Sequence, residues 1–207
     1  MLCPIACFHA GVPEGEGVKK PPVSLWIIHN NRMHTSYIVC GSPGAGKSTY
    51  ARQLAAARCA TLLDIDTVTE RLVRIALAQS GHSQDDRDSG YFKENFREPI
   101  YDTLFDIARE NLPFQDVVIV GPFTREIKDP DWPSRLEHDL GSSIEVHYVQ
   151  CAQQVRRHRL AHRGDARDLA KLKDWENYIQ YYGDEHPPVF DHVLVDGSNP
   201  EGYIKSN

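Results

Sequence analysis

The feature that most constrains this chain is Gly41-Ser-Pro-Gly-Ala-Gly46-Lys47-Ser48-Thr49, which follows directly on the apolar run of residues 37–40. It matches G-x-x-x-x-G-K-[ST] at every fixed position. Glycines at 41, 44 and 46 accept positive φ and carry no side chain, so successive backbone amides can turn inward around an anion. A helix beginning at Lys47 adds its positive N-terminal end to the same space. On this reading Gly41, Ser42, Pro43, Gly44, Ala45, Gly46, Lys47, Ser48 and Thr49 form a cradle for the phosphates of ATP. Lys47 then meets the β and γ phosphates, and the Ser48 hydroxyl is a ligand for Mg²⁺.

Beyond this motif, short β-branched runs alternate with longer helical segments, the pattern of a parallel sheet covered by helices. Strands are expected at 37–40, 61–63, 117–120, 144–149 and 193–195. Val117-Val-Ile-Val120 is apolar throughout and therefore reads as an interior strand. Helices are expected at 47–57, 67–79, from the region of residue 90 to about 111, at 152–163 and at 169–182. In the second, Val68, Leu72, Ile75 and Ala76 are spaced to share a buried face, and Thr67 with Glu70 reads as a capping box. Pro99 fits the third only near its start or at a kink. Residues 81–90 are polar and read as a mobile surface loop. The expected architecture is one three-layer α/β domain with a five-stranded, mainly parallel sheet.

The first 33 residues read differently. Pro13, Pro21 and Pro22 interrupt a stretch without helical or strand periodicity. The apolar patch at 2–8 is broken by Pro4 and lacks the preceding charge of a secretory signal. Residues 1–33 are therefore expected to be a poorly ordered leader, with Met33 as the expected point of translation start and 34–207 as the folded domain. Within 207 residues, 41% apolar and 25% charged, no apolar run approaches the roughly 20 residues of a membrane helix. A net charge of −6 offers no global attraction for nucleic acid or an anionic membrane. Five cysteines are an odd number, and Cys40, Cys59 and Cys151 lie in or beside apolar stretches, which suits buried free thiols in a reducing cytoplasm. Cys3, Cys7 and His9 have no second pair at zinc-site spacing.

Asp64-Ile65-Asp66 ends the second strand. On an extended chain, residues two apart point the same way, so both carboxylates are expected at the C-terminal edge of the sheet. Asp64 suits Mg²⁺ and Asp66 suits proton abstraction from a hydroxyl, while Asp66 as the N-cap of the next helix is the alternative. The third strand ends Val120-Gly121-Pro122-Phe123, without the acid that motor ATPases carry there. Nothing reads Asn-Lys-x-Asp, the element that selects guanine. Thr124 and Arg125, just beyond the strand, are candidates to reach a substrate, with an ordinary surface charge as the equal alternative for Arg125. The basic stretch Arg156-Arg157-His158-Arg159 continues to Arg163 and Arg167, with Arg156, Arg159, Arg163 and Arg167 on one face if the helix persists. Residues 156–168 are expected to form a lid whose cations close over the γ phosphate, with a solvated, salt-bridged helix face as the alternative.

With these residues in place, the chain resembles the small P-loop kinases of the shikimate kinase, gluconate kinase and zeta-toxin kind, often filed together as AAA-type ATP-binding proteins, over residues 36–200. The resemblance rests on the loop 41–49, on Asp64-Ile-Asp66, and on Arg159-Leu-Ala-His-Arg163-Gly-Asp-Ala-Arg167-Asp168, which looks like the arginine-bearing lid after strand four. It implies the P-loop NTPase fold and ATP-dependent phosphorylation of a small hydroxyl-bearing molecule. The implied catalytic residues are Lys47, Asp66, Arg159, Arg163 and Arg167, with Asp66 as base. The implied metal ligands are Ser48 and Asp64, although the missing acid after strand three departs from relatives. By the same analogy adenine lies between Arg159 and Pro200. An ATP-binding regulatory or toxin-related module is the alternative class, and an RNA-end kinase would need a basic groove with stacking aromatics. No sequence pattern names the acceptor.

Overall fold

In the computed structural model, residues 33–199 are described except 88, 183 and 184, and the side chains of 167, 170, 181 and 182 are not described. The expected leader and Pro200 lie outside the described residues, as does the Arg167 side chain. All that follows concerns the unit His34–Asn207.

The β-branched runs form β1 (Thr35–Cys40), β2 (Thr61–Asp64), β3 (Val117–Val120), β4 (Ser143–Gln150) and β5 (Val193–Asp196). They lie in the order β2-β3-β1-β4-β5, and every neighbouring pair is parallel. Parallel neighbours need crossovers, and helices supply them: α1 (Lys47–Arg58), α2 (Ile65–Gln79), α3 (Gly90–Asn95), α4 (Arg97–Asn111), α5 (Trp132–Leu140), α6 (Gln153–Arg163), α7 (Ala166–Lys173) and α8 (Trp175–Tyr182). Alternate residues of β1 feed two cores. Ile38 packs with Leu104, Ile119 and Phe123 on one face, and Val39 with Tyr50, Leu54 and Val118 on the other. The result is the expected three-layer α/β domain, with the sheet wholly parallel. The chain leaves β1 toward β3 on one side and reaches β4 on the other, so the crevice for a ligand opens at the C-terminal end of β1. Among the described residues, no helix is long and apolar enough to cross a membrane.

Several local expectations give way to packing. α2 begins at Ile65, and Asp64 is its N-cap, accepting from the Asp66 backbone N–H at 3.1 Å, so neither Thr67 nor Asp66 caps it. Its buried face carries Val73 and Leu77, whereas Leu72 and Ile75 are 72% and 55% exposed. The partner that sets this rotation is the aromatic cluster of α3 and α4, where Tyr91, Phe92, Phe96 and Ile100 gather. The helix expected after residue 90 is two helices meeting at Phe96, with Pro99 in the first turn of α4. A 3₁₀ turn, Glu126–Lys128, and α5 lie between β3 and β4, where the sequence pattern names no element. Pro133 sits in the first turn of α5, where a missing N–H costs nothing. The helix expected at 169–182 is likewise two, α7 and α8. The polar segment 81–90 is irregular, and ion pairs Arg74–Asp85 (2.7 Å) and Arg87–Glu70 (2.9 Å) tie it to α2. Cys40 and Cys151 are buried as expected, but Cys59 is exposed, closing α1 at φ 52°. Burial pushes the Cys40 thiol up to about 12, which leaves it an inert core group.

Candidate active site

The loop between β1 and α1 adopts the geometry that an anion cradle requires. Gly41, Gly44 and Gly46 all have positive φ, at 136°, 79° and 107°. At Gly41 the need is absolute, because a Cβ would lie 2.3 Å from the Val149 carbonyl oxygen. A Cβ at Gly44 would lie 2.9 Å from the Arg156 carbonyl of α6. The loop is thus pressed against both the end of β4 and the helix that follows it. Lys47 opens α1 and donates from Nζ to the Ser42 carbonyl at 3.0 Å. Lys47 is half-buried and lines the cleft. Desolvation lowers its pKa to about 8; Asp66, Cys40 and Asp64 oppose that shift in this order, and the positive charge of Arg163 adds to it.

Asp64 and Asp66 line the same cleft as Lys47, although not by strand alternation. Asp64 ends β2, and Asp66 belongs to the first turn of α2. Asp64 is buried and uses one carboxylate oxygen as the cap, whereas Asp66 is exposed to the cleft. The cleft has a volume of about 860 Å³ and runs from the loop, past these acids, to the segment after β3. That segment carries Phe123 at φ 44°, fully buried against Tyr101 and Trp132. A bulky residue held in the left-handed region is strained. It turns the backbone so that Thr124 and Arg125 line the cleft.

The arginines of α6 divide into distinct roles. Arg156 is 1% exposed, donates to the Cys151 carbonyl at 3.1 Å and pairs with Glu185 at 3.2 Å. It is an internal strut. Arg159 donates to the carbonyls of Gly44 (3.4 Å), Ala45 (3.2 Å) and Gly197 (2.8 Å), so it ties the loop to the turn after β5. Arg163 lines the cleft near the helix break at Gly164, its Nε donating to the buried Asp168 at 3.0 Å. Because α6 ends at Arg163, Arg167 belongs to the next helix, α7.

This arrangement of strand, glycine loop, helix and basic helix after β4 lies within residues 37–184, which match the AAA domain family. The chain belongs to that family. The fold is shared with two solved structures: a candidate kinase from Chloroflexus aurantiacus j-10-fl, 19% identical over 83% of this chain and 92% of the other with a TM-score of 0.59, and a sugar kinase from Janibacter sp. HTCC2649, 15% identical over 83% and 90% with a TM-score of 0.53. No curated protein sequence matches the chain.

For this AAA domain, the structure gathers Lys47, Ser48, Asp64, Asp66, Arg159 and Arg163 around one cleft. Sequence reasoning missed Glu185, a buried carboxylate that accepts from Ser42 Oγ (3.3 Å), Tyr148 OH (2.5 Å) and the Cys151 N–H (3.4 Å) besides pairing with Arg156. It joins the loop to β4 and α6 from a segment 143 positions away from Ser42. Its neighbours Asp184, His186 and Pro187 look like any polar turn, so no local signal marks it. Burial and the hydrogen bond to this carboxylate both push the Tyr148 phenol up, and it remains neutral. Also missed was the far wall of the cleft, formed by Arg87, Phe92, Lys93, Arg97 and Tyr101.

Proposed function

We propose that this AAA domain transfers the γ-phosphoryl group of ATP to a hydroxyl of a small molecule. The observation that carries the reading is the lining of a single cleft, which brings together Lys47 at the end of the glycine loop, the exposed carboxylate of Asp66 and the guanidinium of Arg163. A phosphate-binding lysine, an exposed carboxylate and an arginine thus share a cleft of about 860 Å³, a volume in the range of small-molecule sites. The relatives named above as kinases support the same class.

In this mechanism the loop amides and Lys47 hold the triphosphate, and its negative charge restores full protonation of the lysine. The acceptor hydroxyl lies against Asp66, which takes its proton as the hydroxyl oxygen bonds to the γ phosphorus. The bond from that phosphorus to the β-bridging oxygen breaks, and ADP keeps the electron pair. Arg163 neutralises charge on the transferring group, and 156–168 acts as the lid that excludes water. Arg159 holds the loop against the turn after β5, beside the adenine. Arg167 and Pro200 remain members of the lid and the adenine site in this proposal.

The residues fit Mg²⁺. Magnesium bound to a triphosphate takes few protein ligands, and here the Ser48 hydroxyl and the Asp64 oxygen not used as a cap would be the donors. When bound, the ion neutralises phosphate charge.

ADP release by the full chain, followed with Mg²⁺·ATP and fractions of a small-metabolite extract, tests this reading. Acceptor-dependent release that Asp66→Asn abolishes supports it. Release that depends on a protein partner and ignores every metabolite fraction places the chain among regulatory modules instead.

A further inference from the structure

The charge of the cleft reaches further than the phosphates of ATP. Ten lysines and arginines line it against four carboxylates, in a protein whose net charge is −6. Near the loop the balance is settled internally. Arg156 pairs with Glu185, while Arg163 and Lys171 share Asp168, and Lys47 and Arg159 meet the triphosphate and the loop. At the opposite end two arginines are also spent. Arg87 pairs with Glu70 at 2.9 Å, and Arg97 pairs with Glu126 at 2.6 Å while stacking over Tyr101.

Three cations at that end are left without a close carboxylate among the described residues. Lys93 comes from α3, Arg125 is the N-cap of the 3₁₀ turn after β3, and Lys128 is the last residue of that turn. The nearest acid to Arg125 is Glu98 at 4.0 Å, and Glu98 is itself held by Arg97 at 3.0 Å. Because a 3₁₀ turn repeats every three residues, Arg125 and Lys128 stack on the same side of it, and the Lys128 N–H donates to the Arg125 carbonyl at 3.1 Å. Lys93 lines the same cleft and is half-buried.

An uncharged sugar would leave these like charges facing one another, and a single carboxylate would answer only one of them. A phosphate dianion answers two and presents three oxygens to donors carried by two separate segments of the cleft lining. Resting on the kinase reading above, we propose that the acceptor already carries a phosphate group: it is a phosphorylated alcohol, bound through Lys93, Arg125 and Lys128 with its free hydroxyl toward Asp66. The class of reaction that supplies it is therefore an earlier phosphorylation, and the product is a bisphosphate.

The test uses matched probes: glucose, gluconate and glucose 6-phosphate, with the ribose series alongside. Two readouts are taken on the full chain: acceptor-dependent ADP release, and calorimetric binding in the presence of a non-hydrolysable ATP analogue. The proposal expects the phosphate esters to bind and turn over at least about tenfold better than their neutral or carboxylate counterparts. Arg125→Ala with Lys128→Ala should raise the acceptor KM about tenfold or more, as loss of charge-assisted hydrogen bonds implies. The KM for ATP should move far less, and Arg125→Lys with Lys128→Arg should recover part of the loss. Preference for neutral sugars or carboxylates, an unchanged acceptor KM in the double variant, or turnover confined to 5′-hydroxyl oligonucleotides overturns it. Charge-dependent binding of the esters without turnover of any acceptor leaves the phosphate site standing and overturns the kinase reading alone.

Discussion

Replacing Glu185 with Gln tests whether the phosphate loop is held from outside its own motif. The Arg156 side chain is 1% exposed and that of Glu185 is 9% exposed, so neither charge can turn to water for compensation. Removing one member of such a pair costs about 3–5 kcal/mol when nothing replaces it. Gln keeps one acceptor oxygen, and Arg156 keeps its bond to the Cys151 carbonyl, so the expected loss is about 2 kcal/mol. For a chain of this size that is a fall in Tm of roughly 4–8 °C. Ser42 and Tyr148 also lose a charged acceptor, so affinity for ATP should drop about two- to tenfold while kcat with saturating ATP changes little. Thermal unfolding and titration with an ATP analogue measure both effects. Combining Glu185→Gln with Arg156→Met should destabilise by less than the sum of the two single changes, since the double variant buries no lone charge. A Glu185→Gln protein within about 0.5 kcal/mol of wild type, the size of an ordinary surface change, with additive behaviour in the cycle, would refute the strut.

Lys47 gives a pH signature: its ammonium is at about 8 in the empty cleft, chiefly because it is desolvated, and phosphates restore the charge. ATP-analogue binding should therefore take up protons near pH 8, read as an enthalpy that varies with buffer ionisation, and affinity should fall as pH rises above 8; flat affinity from pH 7 to 10 contradicts this. The sign for folding is the reverse, because the unfolded chain holds the Lys47 proton up to its ordinary pKa, so this group's contribution to stability grows as pH climbs from about 8. Asp64→Ala should lose about 1 kcal/mol with its cap, whereas Asp64→Asn should keep the stability, and both should raise the Mg²⁺ requirement; a Mg²⁺ titration beside chemical denaturation separates the two roles. Arg159→Ala should weaken ATP binding more than it slows turnover, since the guanidinium holds the loop through Gly44, Ala45 and Gly197, and steady-state kinetics giving the opposite split would return Arg159 to the transition state.

The phosphate end of this site was legible because its requirements are local. A loop that presents amides to an anion needs glycines at fixed spacing, and a run such as Val117–Val120 announces an interior strand in four letters. Asp64 and Asp66 were found for an imperfect reason: they meet because a capped helix turn follows β2 at once, not because a strand alternates. The remainder depends on contacts distant in sequence. The rotation of α2 is fixed by aromatic residues of α3 and α4, which outweigh a stripe containing Leu72 and Ile75. The split between Arg156, Arg159 and Arg163 follows from what each meets, and evenly spaced arginines give no sign that one is buried beneath Glu185.

The central claim is that Asp66 and Lys47 serve transfer of a phosphoryl group to an alcohol, and the fate of the γ phosphate tests it most directly. The full chain is given γ-labelled ATP, Mg²⁺ and the acceptor that best stimulates ADP release, and labelled products are separated. The account predicts that label leaves ATP as an acid-stable phosphate ester of the acceptor, one per ADP formed. Asp66→Asn should cut that transfer by roughly a hundredfold or more, the contribution of a positioned general base, and Lys47→Ala should abolish it with the fold intact. Label recovered only as inorganic phosphate, or ester formation at an unchanged rate in Asp66→Asn, would contradict it.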